Sequence, residues 1–131
     1  MDRLSGAMIA ARATSVIGKP YREDGTDPSG FDCVGLVLWA RWDRDVPPVS
    51  VPRAPMCGAE AFRSLANFCD RVLVPRAGDV VLFHQKEHRK HLGIYTTNGI
   101  VHADNNVGEV RITPVDLVRV SGFYKFKDLD G

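Results

Sequence analysis

The sequence predicts an α+β fold, with helices packed on an antiparallel sheet. Two observations carry this expectation. Helical spacing of apolar residues is confined to the part before Pro75. After Pro75, short β-rich runs alternate with turns.

The elements follow in order. Residues 2–17 read as a helix, with Leu4, Met8 and Ala11 at helical spacing and Gly18 and Pro20 ending it. Residues 21–31, YREDGTDPSGF, are turn chemistry. Residues 33–44 are apolar on nearly every side, which is the pattern of a buried helix. The proline-rich stretch 46–55 reads as an extended connector within the domain. Residues 58–70 carry Phe62, Leu65, Ala66 and Cys69 as the stripe of an amphipathic helix. Strands are expected at 79–83, 91–95, 99–103, 109–113 and 122–126. Before the last of these, TPVDLVR predicts a single helical turn with Thr113 as its N-cap and Pro114 at the first helical position.

Composition narrows the function classes. A chain of 131 residues reads as one domain, 1–131. A net charge of +1 gives no general attraction to nucleic acid or to an anionic membrane. No apolar run approaches the roughly 20 residues that a membrane helix needs. The first twenty residues hold Asp2 and Arg12 and are unlike a secretory leader, so the expectation is synthesis in the cytoplasm. Three cysteines, an odd number without a C-x-x-C pair, fit a reduced compartment better than a disulfide framework.

Cys33 is the first residue of interest. It opens the apolar helix just after Asp32, so Asp32 or a neighbour caps the helix and Cys33 lies in its first turn. Unpaired amides and the positive end of the helix dipole are found there. That setting lowers a thiol pKa and can receive an oxyanion. On this stretch alone, a buried small residue is the ordinary reading.

A nucleophilic cysteine needs a base, and the strand half supplies histidines. A four-residue turn from Thr96 to Gly99, with Gly99 at positive φ, sets Gly93 opposite His102. His91 then becomes the diagonal neighbour of His102 on one face, roughly 7–8 Å away between backbone positions. An Asn98-Gly99 two-residue turn would separate the pair by about 13 Å. Each histidine alone is an ordinary strand residue; two on one face, with a helix-head cysteine elsewhere, form a candidate site.

The blocks GKPYREDGTDPSGFDCVGLV and AGDVVLFHQKEHRKHLGIYTTNGIVHA resemble the signatures of the NlpC family of cell-wall cysteine peptidases, which are papain-like. The resemblance covers residues 18–103 and extends to the last strand. It implies a papain-like fold with Cys33 as nucleophile at a buried helix N-terminus, His91 as base and His102 as the group that orients the base. Tyr21 and Asp32 are implied at the substrate and oxyanion site. It implies no cofactor and no metal. The implied substrate is the stem peptide of peptidoglycan, commonly the bond between γ-D-glutamate and a diamino acid.

Where many secreted members have serine after the cysteine, this chain has Val34. That version resembles peptidases encoded among the tail genes of bacteriophages and gene transfer agents. The resemblance therefore implies a virion component held by tail tip, hub or baseplate proteins, made in a bacterial cytoplasm and acting on the wall during DNA entry. A catalytically idle adaptor of the tail, or an acyltransferase or amidase on the same scaffold, are the other readings. HQKEHRKH lacks the H-E-x-x-H pattern and reads as a solvated basic loop from Lys86 to Lys90. Cys57 and Cys69 read as structural.

Overall fold

The computed structural model describes residues 5–42, 63, 66–84, 90–127 and 129. Helix α1 spans Gly6–Ser15 and is capped by Ser5, whose hydroxyl accepts from the Met8 amide at 3.3 Å. It buries Ile9, Ala10 and Ala13. A two-stranded hairpin, β1 (Thr26–Asp27) and β2 (Gly30–Phe31), follows where the sequence showed only turn chemistry. Helix α2 spans Cys33–Trp42. Leu36, Val37 and Leu38 are buried on its successive faces, as the all-apolar pattern requires. Each such burial is worth about 1.5–3 kcal/mol relative to exposure. Arg12 Nη1 donates to the Ala40 carbonyl at 3.2 Å and ties the two helices together.

Six strands form one antiparallel sheet: β3 (Cys69–Val72), β4 (Val80–His84), β5 (His91–Thr96), β6 (Gly99–Asp104), β7 (Glu109–Thr113) and β8 (Arg119–Phe126). Their order is β3-β8-β4-β5-β6-β7. The long β8 joins β3 to β4, with a register shift opposite Leu82 and Phe83. The expectation of helices packed on an antiparallel sheet holds, and so do the five expected strands.

Alternation gives the sheet two distinct faces. Val80, Leu82, Leu92, Ile94, Val101 and Ala103 meet the helices in the main core. Val81, Phe83 and Ile100 form a second cluster on the other face, joined by Tyr95, Val120 and Phe123.

Two local expectations fail. The helix expected at 58–70 does not reach its end: Ala66–Phe68 is a single 3-10 turn and Cys69–Val72 is a strand. Cys69 pairs with Phe126 and Val72 with Phe123, so long-range strand pairing overrides the local helical spacing. The short helical turn before β8 is present as a 3-10 turn, Val115–Leu117, but its cap position is Pro114 and no side chain caps it. Thr113 ends β7, as the strand expected at 109–113 has it, and caps nothing. The connector 46–55, Cys57 and residues 86–89 of the basic loop lie outside the described residues.

Candidate active site

Cys33 is the first residue of α2 and is half-buried. The local sequence builds this position through Asp32. Its Oδ1 accepts from the Gly35 amide at 2.7 Å, and its carbonyl accepts from the Leu36 amide at 3.1 Å. Asp32 is therefore the N-cap of α2. Its Oδ2 accepts from the Asp24 amide at 3.1 Å, and Asp24 sits at φ 60°, a conformation that aspartate tolerates better than most residues. One buried carboxylate thus holds both the helix start and the preceding turn. The cap expected for α2 is in place, and it occupies both oxygens of a residue also implied to meet substrate.

Tyr21 is placed by the chain between α1 and the hairpin. Gly18 N donates to Val110 O, Val110 N to Lys19 O and Tyr21 N to Gly108 O, each at 2.8 Å, so this segment runs along the outer edge of β7. Phe31 N then donates to Pro20 O at 3.0 Å, and Tyr21 bridges to Phe31. Tyr21 and Cys33 both pack against the main core. Phe31, two residues before Cys33, is fully buried against Trp39, with ring centroids 5.4 Å apart.

The histidines come from β5 and β6. Thr96 pairs with Gly99, Tyr95 with Ile100 and Ile94 with Val101. The four-residue turn is held by Thr96 Oγ1, which donates to Gly99 O at 2.8 Å and accepts from Asn98 N at 3.1 Å. Gly99 has φ 138°. The expected register follows: a Cβ built on Gly93 would lie 3.2 Å from His102 Cβ and 2.5 Å from Ile100 Cγ2. Only glycine fits there beside Ile100 and His102. The β5–β6 pairing stops at Ile94 and Val101, while β5 follows β4 as far as His91 and β6 follows β7 as far as Asp104. The two strands part at the end that carries the histidines.

His91 and His102 share one face and one aromatic neighbour. The Phe83 ring centroid is 5.8 Å from that of His91 and 5.1 Å from that of His102, the latter edge-on. His91 is half-buried; His102 is 1% exposed. Burial first, opposed by the Asp104 charge and aided by His91 and Arg111, brings the His102 pKa down to about 4. His102 is therefore a neutral imidazole across the physiological range. Its Nε2 lies 2.9 Å from Thr113 Oγ1. Helix α2 packs across β5 and β6, the strands that carry both histidines.

Two residues of this site were not legible as such. Phe83 read only as a strand residue, and Thr113 as a strand end and helix cap. For Thr113 a signal existed in the alternation of EVRIT, where Val110 and Ile112 belong to one face and Arg111 and Thr113 to the other. His84 ends β4, and His88 lies outside the described residues. Cys69 is buried, and burial, with the Asp70 charge beside it, pushes its thiol up to about 12.

Comparison with known proteins agrees with this arrangement. The profile of the NlpC/P60 family matches residues 18–124. A Corynebacterium glutamicum protein named "Probable endopeptidase Cgl2188" is 32% identical over 105 residues, covering 78% of this chain and 44% of that protein. The murein DD-endopeptidase MepH of Escherichia coli is 31% identical over 105 residues, covering 74% of this chain and 35% of its own length. The chain thus spans less than half of these relatives. The crystal structure of the NlpC/P60 domain of the peptidoglycan hydrolase SagA superposes with a TM-score of 0.65 at 26% identity, covering 94% of this chain and all of that domain. With the helix-head cysteine, the paired histidines and the sheet order on one side and these matches on the other, the chain belongs to the NlpC/P60 family.

Proposed function

We propose that the protein is a cysteine endopeptidase that cleaves an amide bond in the stem peptide of peptidoglycan. The observation that carries this reading is the pair of histidines sharing one face of β5 and β6, strands that the helix starting at Cys33 packs against, within a chain of the NlpC/P60 family. In this reading Cys33 attacks the amide carbonyl as thiolate, forming the carbon–sulfur bond. His91 gives its proton to the leaving amine, and the carbon–nitrogen bond breaks. Water, deprotonated by His91, then hydrolyses the thioester and returns the thiol. His102 orients His91. The head of α2 and Tyr21 stabilise the oxyanion. Asp32 contributes through α2, whose start it caps.

The scissile bond we assign is that between γ-D-glutamate and the diamino acid. The setting we infer is a phage-like tail, where hub or baseplate proteins carry the enzyme to the envelope. Its support is Val34, the apolar residue after the nucleophile, which is buried in the core rather than offered to a peptide terminus.

The test is digestion of purified peptidoglycan, with released fragments identified by mass spectrometry and the Cys33→Ala variant as control. Fragments cut after γ-D-glutamate by the wild type alone are the expected result. Release of none, from a folded protein, would leave an adaptor role. Proteomics of purified particles tests the setting: presence in intact particles supports it, and abundance only in lysing cells overturns it.

A further inference from the structure

The Thr113 hydroxyl is a buried polar group that the catalytic reading leaves unused. Thr113 ends β7 and is 6% exposed. Its backbone pairs with Ile100, two residues from His102 along β6. The close approach depends on Gly99: a Cβ there would lie 2.7 Å from the Thr113 carbonyl oxygen. The result is the 2.9 Å contact between Thr113 Oγ1 and His102 Nε2. Because Nε2 is engaged by Thr113, Nδ1 is the ring nitrogen left to serve His91.

We propose that Thr113 is a positioning residue for catalysis, whose hydroxyl accepts a hydrogen bond from the Nε2–H of His102 and so holds the tautomer whose Nδ1 accepts a hydrogen bond from His91. This rests on the reading of His91 as base. The base carries a proton on the ring nitrogen turned away from the thiol, and only an acceptor can hold that N–H. The opposite tautomer of His102 would set donor against donor. A cationic His102 would do the same, since both of its nitrogens donate. The ring sees three charged or titratable neighbours: His91 on β5, Asp104 on β6 and Arg111 on β7. Asp104 draws Arg111 to 3.9 Å. A hydroxyl can donate or accept, so the ring's tautomer is set by both contacts together: with His91 donating to Nδ1, Thr113 answers the Nε2–H as acceptor and holds that neutral form.

Thr113→Val keeps the shape and removes the hydroxyl; Thr113→Ser keeps the hydroxyl. With soluble stem peptide as substrate, Thr113→Val is expected to lower kcat by about tenfold or more at unchanged KM, and Thr113→Ser to restore most of it. Long-range proton–nitrogen NMR of the imidazoles should show His102 as the Nε2–H form in the wild type and in Thr113→Ser, and its loss in Thr113→Val. An Nδ1–H form in the wild type overturns the proposal, and this measurement needs no variant to fold. Wild-type kcat in Thr113→Val overturns it too. An inactive wild type would count against the peptidase reading instead, and the His102 tautomer in the wild type and in Thr113→Val would still decide the role of Thr113.

Discussion

Leu92 and His91 are neighbours on one strand with opposite fates. Leu92 points to the helix side of the sheet, among Val80, Leu82, Ile94 and Val101, and is fully buried there. His91 points to the other face, beside Phe83 and with His102 across the parting strands. Both faces are largely dry, but they use dryness differently. The helix face turns apolar area into stability. The histidine face uses Phe83, Val81 and Ile100 to desolvate a ring and keep it uncharged. The same exclusion of water therefore stabilises the fold on one side and sets a protonation state on the other.

The largest expected effect tests whether the faces are separable. His91→Ala should lower kcat by roughly a thousandfold or more while the melting temperature changes little, because a half-buried ring at a strand end leaves a small cavity. His102→Ala should keep more residual turnover. Wild-type activity in both variants would remove the catalytic distinction between the faces. Leu92→Ala should do the reverse and cost about 2–5 kcal/mol in denaturant unfolding, through lost burial and a cavity under α2. A loss below about 1 kcal/mol would show that the helix side is looser than its burial implies.

Acid should act through the histidine face. His102 has a folded pKa of about 4 against an ordinary 6.5. In that window the unfolded chain binds the proton that the folded chain refuses. The stability contribution is complete above pH 6.5 and is lost as pH falls toward 4, about 3 kcal/mol in all. Burial raises the pKa of Asp79, which gives a pH dependence of opposite sign. The informative quantity is therefore the difference between wild type and His102→Asn across pH 4 to 7. Parallel curves would show that His102 is not the group that titrates.

The smallest effect separates the cysteines. Cys33, at the head of α2, should react with iodoacetamide at neutral pH at least about tenfold faster than Cys69, whose thiol burial keeps protonated. Peptide mapping reads both rates, and a faster Cys69 would remove the nucleophile assignment.

Much of this comparison was legible in the sequence. An apolar run with almost no polar face has the pattern of a buried helix, so α2 and the place of Cys33 at its start followed from residues 33–44. The turn at Thr96–Gly99 carried the β5–β6 register, because the side-chain period of a strand is two and the turn sets its phase. That put both histidines on one face.

Other features needed partners distant in the chain. Cys69 closes a helical stripe begun at Phe62 in the sequence, yet it opens a strand because β8 offers an edge to pair with. The Asp32 carboxylate could be assigned to a cap or to substrate until Asp24 and Gly35 met it from two directions. Thr113 suits a helix cap as well as a strand end, and only the pairing of β6 with β7 set its hydroxyl against His102. Local chemistry determined which elements could form and which faces they would bury. Which polar group answers which across the sheet was decided by strand order, since hydrogen-bond partners are chosen by position in space and the intervening chain carries no record of that distance.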